Sequence, residues 1–414
     1  MEEKNSEKKE RKMRDSGIPW IGEVPEGWEF SKIKYHCTMK SGDNITALDI
    51  SDNGEYPVYG GNGLRGFYKI YNKNGNHILI GRQGALAGNV HLVNGKFWAT
   101  DHAVIVTLKN DVFINYFFRM LESMNLNQYA FDTAAQPRLS VSRIMNLNIV
   151  LPNLKEQHRI ADFLGSKCSE IDTLIENLRA RMESAKEYKK AVITEAVTKG
   201  LDKDAKMKDS GVEWIGEIPE GWKVVRFKHI ASIKSNLVQP DKYMKYPQIA
   251  PDNIEKDTGR LLSHQTVEES GVISGNHLFY RGQILYSKIR PNLNKLTVAP
   301  FDGLCSADMY PIESKLPTLF MVYSMLSTYF VSQVSLIIQD RVKMPKINQE
   351  ELGEIKVAVP SQQEMLTIAD YLDSKCSEID ALLQNYEYQI ATLEEYKKSL
   401  IYEYVTGKKE VPEA

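Results

Sequence analysis

The sequence predicts an α+β chain: two β-rich domains, each followed by a long helix. Three observations predict it. One segment occurs twice at the domain starts, another occurs twice over the helices, and glycine-punctuated β-branched runs fill the interiors. At 414 residues the chain is long for one core and has room for two to three domains.

The duplication is read by self-comparison. Residues 13–30, MRDSGIPWIGEVPEGWEF, match residues 207–224, MKDSGVEWIGEIPEGWKV, at 12 of 18 positions and an offset of 194. Pro152–Thr198 matches Pro360–Thr406 without a gap at an offset of 208. The match includes IAD, SKCSEID (Ser166–Asp172, Ser374–Asp380) and EYKK (Glu187–Lys190, Glu395–Lys398). The second offset also aligns Pro137-Arg138-Leu139 with Pro345-Lys346-Ile347. A repeat unit this long means two similar modules, not a solenoid. Between the anchors, 31–135 and 225–343 show little resemblance, the pattern expected when each interior reads something different.

Taken in order, Met1–Lys12 is almost all charge and is expected as a disordered tail; no secretory signal is legible in it. The first interior then mixes β-branched runs with glycine turns at Pro57–Gly66, Asn76–Gly88 and Phe97–Val106. His277–Leu296 has the same texture in the second. Short apolar helices are expected at Val112–Met124 and Pro317–Val334. After Pro152, a natural first-turn residue, apolar positions recur from Ile160 through Leu164, Cys168, Ile171 and Ile175 to Ala196. Ile368 to Tyr404 repeats the register. Spacing of three and four sustained this long is a coiled-coil seam, interrupted at Lys189 and Lys397, polar positions able to fix register. The two helices pack on each other or on a second copy of the chain. The expected boundaries are a tail at 1–12, domains at 13–150 and 201–358, helices at 151–200 and 359–407, and a tail at 408–414.

Several classes fall away. No run of about 18 apolar residues exists, so no membrane span is expected. The four cysteines form no CxxC pair and the eight histidines no ligand spacing, which argues for a reducing, cytoplasmic setting without a metal site. GGNGLRG at Gly60–Gly66 lacks the GK[ST] of a phosphate loop and reads better as a β-turn. Glu313-Ser314-Lys315 is an isolated nuclease-like tripeptide. No catalytic constellation stands out. Net charge is −2, but it is segregated: Val24–Val150 carries 12 basic against 10 acidic residues, Pro219–Ala358 has 17 against 14, and Pro360–Gly407 has 3 against 9.

What remains is the equipment of a nucleic-acid surface or of a polar loop on a β domain. Tyr286, Ser287, Lys288, Arg290, Asn292, Asn294 and Lys295 crowd donors and an aromatic into ten residues. Arg82 and Gln83 sit between glycines, Arg65 follows the Gly61-Asn62 turn, and Arg138 and Lys346 occupy aligned positions. Arg, Gln and Asn can grip base edges bidentately, while Lys and Ser suit phosphates.

At these residues the chain resembles the specificity (HsdS) subunits of type I restriction–modification systems over nearly its whole length. The resemblance rests on DSGxxWIGExPEGW at both repeat starts, on PVYGGNG, GRQGALAG and FWATDHAV, and on LYSKIRPNLNK and CSADMYP. QPRLS before LPNLKEQHRIADFL and the EYKK…VT helix ends complete it. One departure is visible: Glu156-Gln157 in the first copy is Glu364-Met365 in the second. The resemblance implies two target-recognition domains and a pair of antiparallel spacer helices. Each domain would read half of a split site in double-stranded DNA. It further implies that the helices dock modification subunits, with Glu187, Lys190, Glu395 and Lys398 as candidate contacts, and that restriction subunits join them. S-adenosylmethionine and ATP would sit on those partners and no cofactor on this chain, which would itself be non-catalytic. The alternative reading is a coiled-coil adaptor that binds protein and not DNA.

Overall fold

The computed structural model describes residues 11–412 apart from 85–86, 110, 131–137 and 342. Most of the tail expected over 1–12, together with Gln136 and Pro137 of the QPRLS motif, lies outside the described residues. The chain forms two compact units. One comprises the residues up to Leu178 together with those from Tyr388 on; the other runs from Arg179 to Glu387.

In the first unit an antiparallel sheet has the order Cys37–Ser41, Ala103–Leu108, His77–Gly81, Val90–Val93. Successive strand residues point to opposite faces, and here both faces are covered. Ile78, Ile80, Val104 and Val106 pack with Tyr116, Phe117, Met120 and Leu121 of the helix Ile114–Ser123, while Leu79 and Ile105 pack with Phe97 and Ala99 of a second sheet. That double burial is why HILIG and AVIV read as unbroken apolar runs. The second sheet holds one parallel pair, with Val58 opposite Trp98 and Tyr59 opposite Ala99.

The second unit repeats this plan. Its antiparallel sheet has the order Ala231–Ile233, Met309–Ser314, Ile284–Ser287, Leu296–Val298. Its other sheet contains the matching parallel pair, Gln248 opposite Leu304 and Ile249 opposite Cys305, and gains an extra edge strand at Leu237–Val238. The interiors that share little sequence therefore share their topology.

Each domain is closed by pairing its beginning with its end: Glu29–Lys32 with Asn148–Leu151, and Lys223–Arg226 with Lys356–Val359. The recurring Asp-Ser-Gly makes a turn in both copies, with the Gly17 and Gly211 amides donating to Asp15 and Asp209 at 2.9 Å. Trp28 and Trp222 are buried at the end of that motif.

The long helices are Leu154–Lys199 and Gln362–Val405. Each begins on a side-chain cap, Asn153 accepting from Glu156 N–H and Ser361 from Glu364 N–H, where Pro152 was the expected signal. Within the first unit the early part of one helix (Ile160, Leu164, Cys168) shares a core with the late part of the other (Leu400, Ile401, Tyr404). Within the second unit Val192, Ile193 and Ala196 do so with Ile368, Leu372 and Cys376. In each unit the segments thus run antiparallel. The two seam lysines are both ion-paired. Lys397 Nζ lies 2.7 Å from both carboxylate oxygens of Asp172, and Lys189 Nζ 2.7 Å from both of Asp380. Both aspartates close the SKCSEID repeat. Gly200 and Gly407 follow the helix ends at φ of 75° and 73°, and a Cβ at either would stand 3.2 Å or less from the indole of Trp222 or Trp28.

The single helix expected over Pro317–Val334 is two, Thr318–Leu326 and Thr328–Ile338, bent by 59° at Ser327. Thr194 receives the Thr328 amide at 2.9 Å, so a side chain from the long helix starts the second piece. Among the described residues no single helix is long and apolar enough to cross a membrane.

Candidate nucleic-acid interface

In the first unit the strand His77–Gly81 runs out into Arg82 and Gln83. Arg82 donates its amide to His102 O at 3.0 Å, its carbonyl accepts from Leu139 N–H at 2.8 Å, and Gln83 forms a β-bridge with Arg138. The hairpin Tyr56–Gly60 to Gly63–Tyr68 turns at Gly61-Asn62, the β-turn expected there. A Cβ on Gly61 would meet His102 O at 3.2 Å and Gln83 O at 3.6 Å, so the turn lies directly against that loop. The structure thereby brings together Gly61, Asn62, Arg82, Gln83 and Arg138 from three separate stretches of sequence. Arg65, Arg82, Asn62 and Arg138 are exposed. Arg82 also donates to Ser41 Oγ at 3.2 Å.

The second unit makes the same joint from different residues. Lys288 donates its amide to Asp308 O at 2.9 Å and accepts from Ile347 N–H at 3.0 Å, and Ile289 bridges Lys346. Lys288 is the counterpart of Arg82 and Lys346 that of Arg138. Arg290 and Asn292 are exposed; Arg290, at φ 43°, donates its backbone N–H to Pro345 O at 2.8 Å. Lys288 Nζ lies 5.4 Å from the Tyr310 ring centroid, and Lys346 reaches Asp308 Oδ1 at 3.2 Å. Burial first, then the Lys288 ammonium, hold His277 below the usual imidazole range.

Four residues expected on this surface are elsewhere. Tyr286 is fully buried, because it lies on a strand paired on both sides and points into the core. Ser287 is buried and donates to Ile289 O at 3.0 Å, shaping the turn; buried Asn294 donates to Met325 O at 3.1 Å and anchors the loop to a helix. Lys295 is turned inward, donating to Pro251 O at 2.8 Å. The polar groups of Ser287, Asn294 and Lys295 serve the loop's own hydrogen bonds, while the buried Tyr286 hydroxyl makes none; spacing alone does not reveal this.

Other members of the joint went unread. His102 and Asp308 occupy equivalent positions: His102 Nε2 lies 3.5 Å from the Gln83 amide nitrogen and Asp308 pairs with Lys346. Asp252, fully exposed, stands where Asn62 stands in the first copy, since Ile249 and Tyr59 hold the same register. Only the shared strand register discloses these equivalences. The candidate docking residues lie on the long helices. Glu187, Glu395 and Lys398 are exposed, whereas Lys190 is engaged with Glu187 at 3.3 Å and with Asp257 at 3.8 Å.

Each unit of the duplicated α+β chain thus presents a basic joint, Arg82 with Arg138 in one and Lys288 with Lys346 in the other. The family model for the type I restriction modification DNA specificity domain matches residues 25–184. The EcoDI specificity subunit of Escherichia coli is 34% identical over 267 residues, spanning 60% of each chain. The MjaVIII specificity subunit of Methanocaldococcus jannaschii is 28% identical over 423 residues, 93% of each. A solved chain from work on complex assembly and conformational transition of the type I R-M system shares the fold, with a TM-score of 0.65 at 15% identity over 93% of this chain and 99% of that one. The chain is thus similar over most of its length to type I restriction–modification specificity subunits, and its residues 25–184 match their DNA specificity domain.

Proposed function

We propose that this chain is the DNA-reading subunit of a type I restriction–modification complex, each domain reading one half of a bipartite site. The observation that carries this reading is the repeated joint, Arg82–Arg138 in one unit and Lys288–Lys346 in the other. The same backbone scaffold presents different donor side chains, as two different half-sites require. The modest domain charge fits a chain that shares phosphate contact with partners. In this reading modification subunits dock on the long helices, around Glu187, Glu395 and Lys398, and restriction subunits join them. S-adenosylmethionine and ATP belong to those partners, methylation and cleavage are theirs, and the complex works in the cytoplasm. Helix length sets the unread gap between half-sites.

The test is to replace residues 225–343 with the matching interior of a relative and to sequence the methylated sites in cells that also supply the partner subunits. One half of the site changes and the other stays. A change in both halves, or in neither, overturns the reading. Within the second joint, Arg290→Ala weakens binding by about 1–3 kcal/mol for the cognate site alone if it grips a base. A uniform loss across sequences with a flatter salt dependence would make it a phosphate contact.

A further inference from the structure

The first unit holds a three-residue relay that DNA reading does not use. His36 Nε2 lies 2.6 Å from Ser31 Oγ, and His36 Nδ1 lies 2.6 Å from Asp111 Oδ2. The imidazole is 13% exposed, so the relay is sheltered at its centre, while Ser31 lines an open groove of about 510 Å³. Ser31 comes from the strand that opens the domain, His36 ends the helical turn Ile33–His36, and Asp111 precedes the helix Ile114–Ser123. Phe30 and Tyr35 give the groove apolar walls, and Lys32 and Asn148 bring to it a cation and a carboxamide donor.

The second unit lacks the whole relay. Its strand Lys223–Arg226 has Val225 at the serine's place, its turn Phe227–Ile230 ends in Ile230, and the loop from Lys315 to Pro317 contains no carboxylate. Apolar residues therefore satisfy the same fold, so the fold itself does not require these three polar groups.

We propose that Ser31 is an activated nucleophile that accepts an acyl group from a carboxylic ester, a covalent modification site separate from the DNA-reading joint. As Ser31 Oγ bonds to the ester carbonyl carbon, His36 Nε2 takes the hydroxyl proton, and the Asp111 carboxylate holds Nδ1–H and steadies the imidazolium. When the tetrahedral intermediate collapses, the carbon–alkoxide bond breaks, His36 returns its proton to the departing alkoxide, and the products are acyl-Ser31 and an alcohol. His36 acts on the reacting atoms; Asp111 is a positioning residue.

The test treats the full chain with a fluorophosphonate probe, maps the label by peptide mass spectrometry, and follows p-nitrophenolate release from p-nitrophenyl acetate. The expected result is one label per chain at Ser31 and about one equivalent of p-nitrophenolate, both lost in Ser31→Ala. His36→Gln slows labelling about 100-fold or more, the share a general base supplies. Asp111→Asn slows it without changing the probe concentration at half-saturation, and Asp111→Glu restores part of the rate. Ser31→Val and His36→Ile carry the second unit's own residues, so each folds and is unreactive. Absence of label at Ser31 in folded protein, or equal labelling of the His36→Gln chain, overturns the proposal.

Discussion

Gln157 and Met365 stand at the same place in the two copies of the helix start, and a single amide hydrogen explains why they differ. Gln157 is buried; its Oε1 accepts from Phe113 N–H at 2.9 Å and its Nε2 donates to Pro152 O at 2.9 Å. Phe113 is the N-cap of the helix Ile114–Ser123. The corresponding N-cap in the second unit is Pro317, which has no N–H to satisfy, and there buried Met365 is sufficient. The departure from the family's Glu-Gln is thus balanced by a proline some fifty residues upstream. Gln157→Met strands a donor and a carbonyl and is expected to cost about 1–3 kcal/mol, seen as a lower midpoint in urea and faster hydrogen exchange at the Phe113 amide. Met365→Gln is expected to cost a similar amount, because the new amide finds no matching donor. Unchanged midpoints for both would remove this account.

At the scale of elements, the seam lysines show how the helices keep register. Lys189, with a side chain 12% exposed, has both oxygens of Asp380 for company, and Lys397 repeats the bond with Asp172. A shift of either helix by one turn would bury an ammonium without its carboxylate, a cost of about 3–5 kcal/mol for a well-buried pair and less here, where the aspartate is half exposed. Lys189→Glu should therefore lower the thermal midpoint, and adding Asp380→Lys should recover most of the loss; additive losses in the double variant would mean that the pair is not coupled. These helices, their seam and the duplicated frame were legible in the sequence because a heptad pattern over some forty residues is long and periodic. The shared topology of the interiors was not. Their strands run two to six residues, and alternation and register, not residue identity, define such a sheet. Tyr286, Ser287 and Asn294 were read as surface for the same reason: polar letters beside Lys288 and Arg290 carry no sign of which way a strand faces. Ser31 and His36 lie five residues apart, but Asp111 reaches them only through the fold.

Across the whole molecule, the four cysteines report on how completely the units are closed. All are buried, and none is paired with another. Burial pushes the Cys37 thiol up to about 12 and the Cys376 thiol up to about 11, and raises those of Cys168 and Cys305 as well. Because the thiolate is the reactive form, Ellman's reagent at pH 8 should find almost no thiol in the native chain and four after denaturation. Fast reaction of one or two would locate a loosely closed part. The first unit has a further peculiarity, for Tyr116 Oη donates to Val405 O and Tyr402 Oη to Ile21 O across sequence separations of 289 and 381 residues. Its core therefore cannot be finished until the last helix leaves the ribosome. The unit from Arg179 to Glu387 is made without that helix end, so the half encoded second is the first to be complete. At roughly 5–20 residues per second, the earlier half waits tens of seconds with Trp28 and Tyr116 uncovered. Released chains truncated after Glu387 are accordingly expected to resist protease over the second unit and to be cut in the first, which makes the opening half of the gene product the client of whatever shelters unfinished chains.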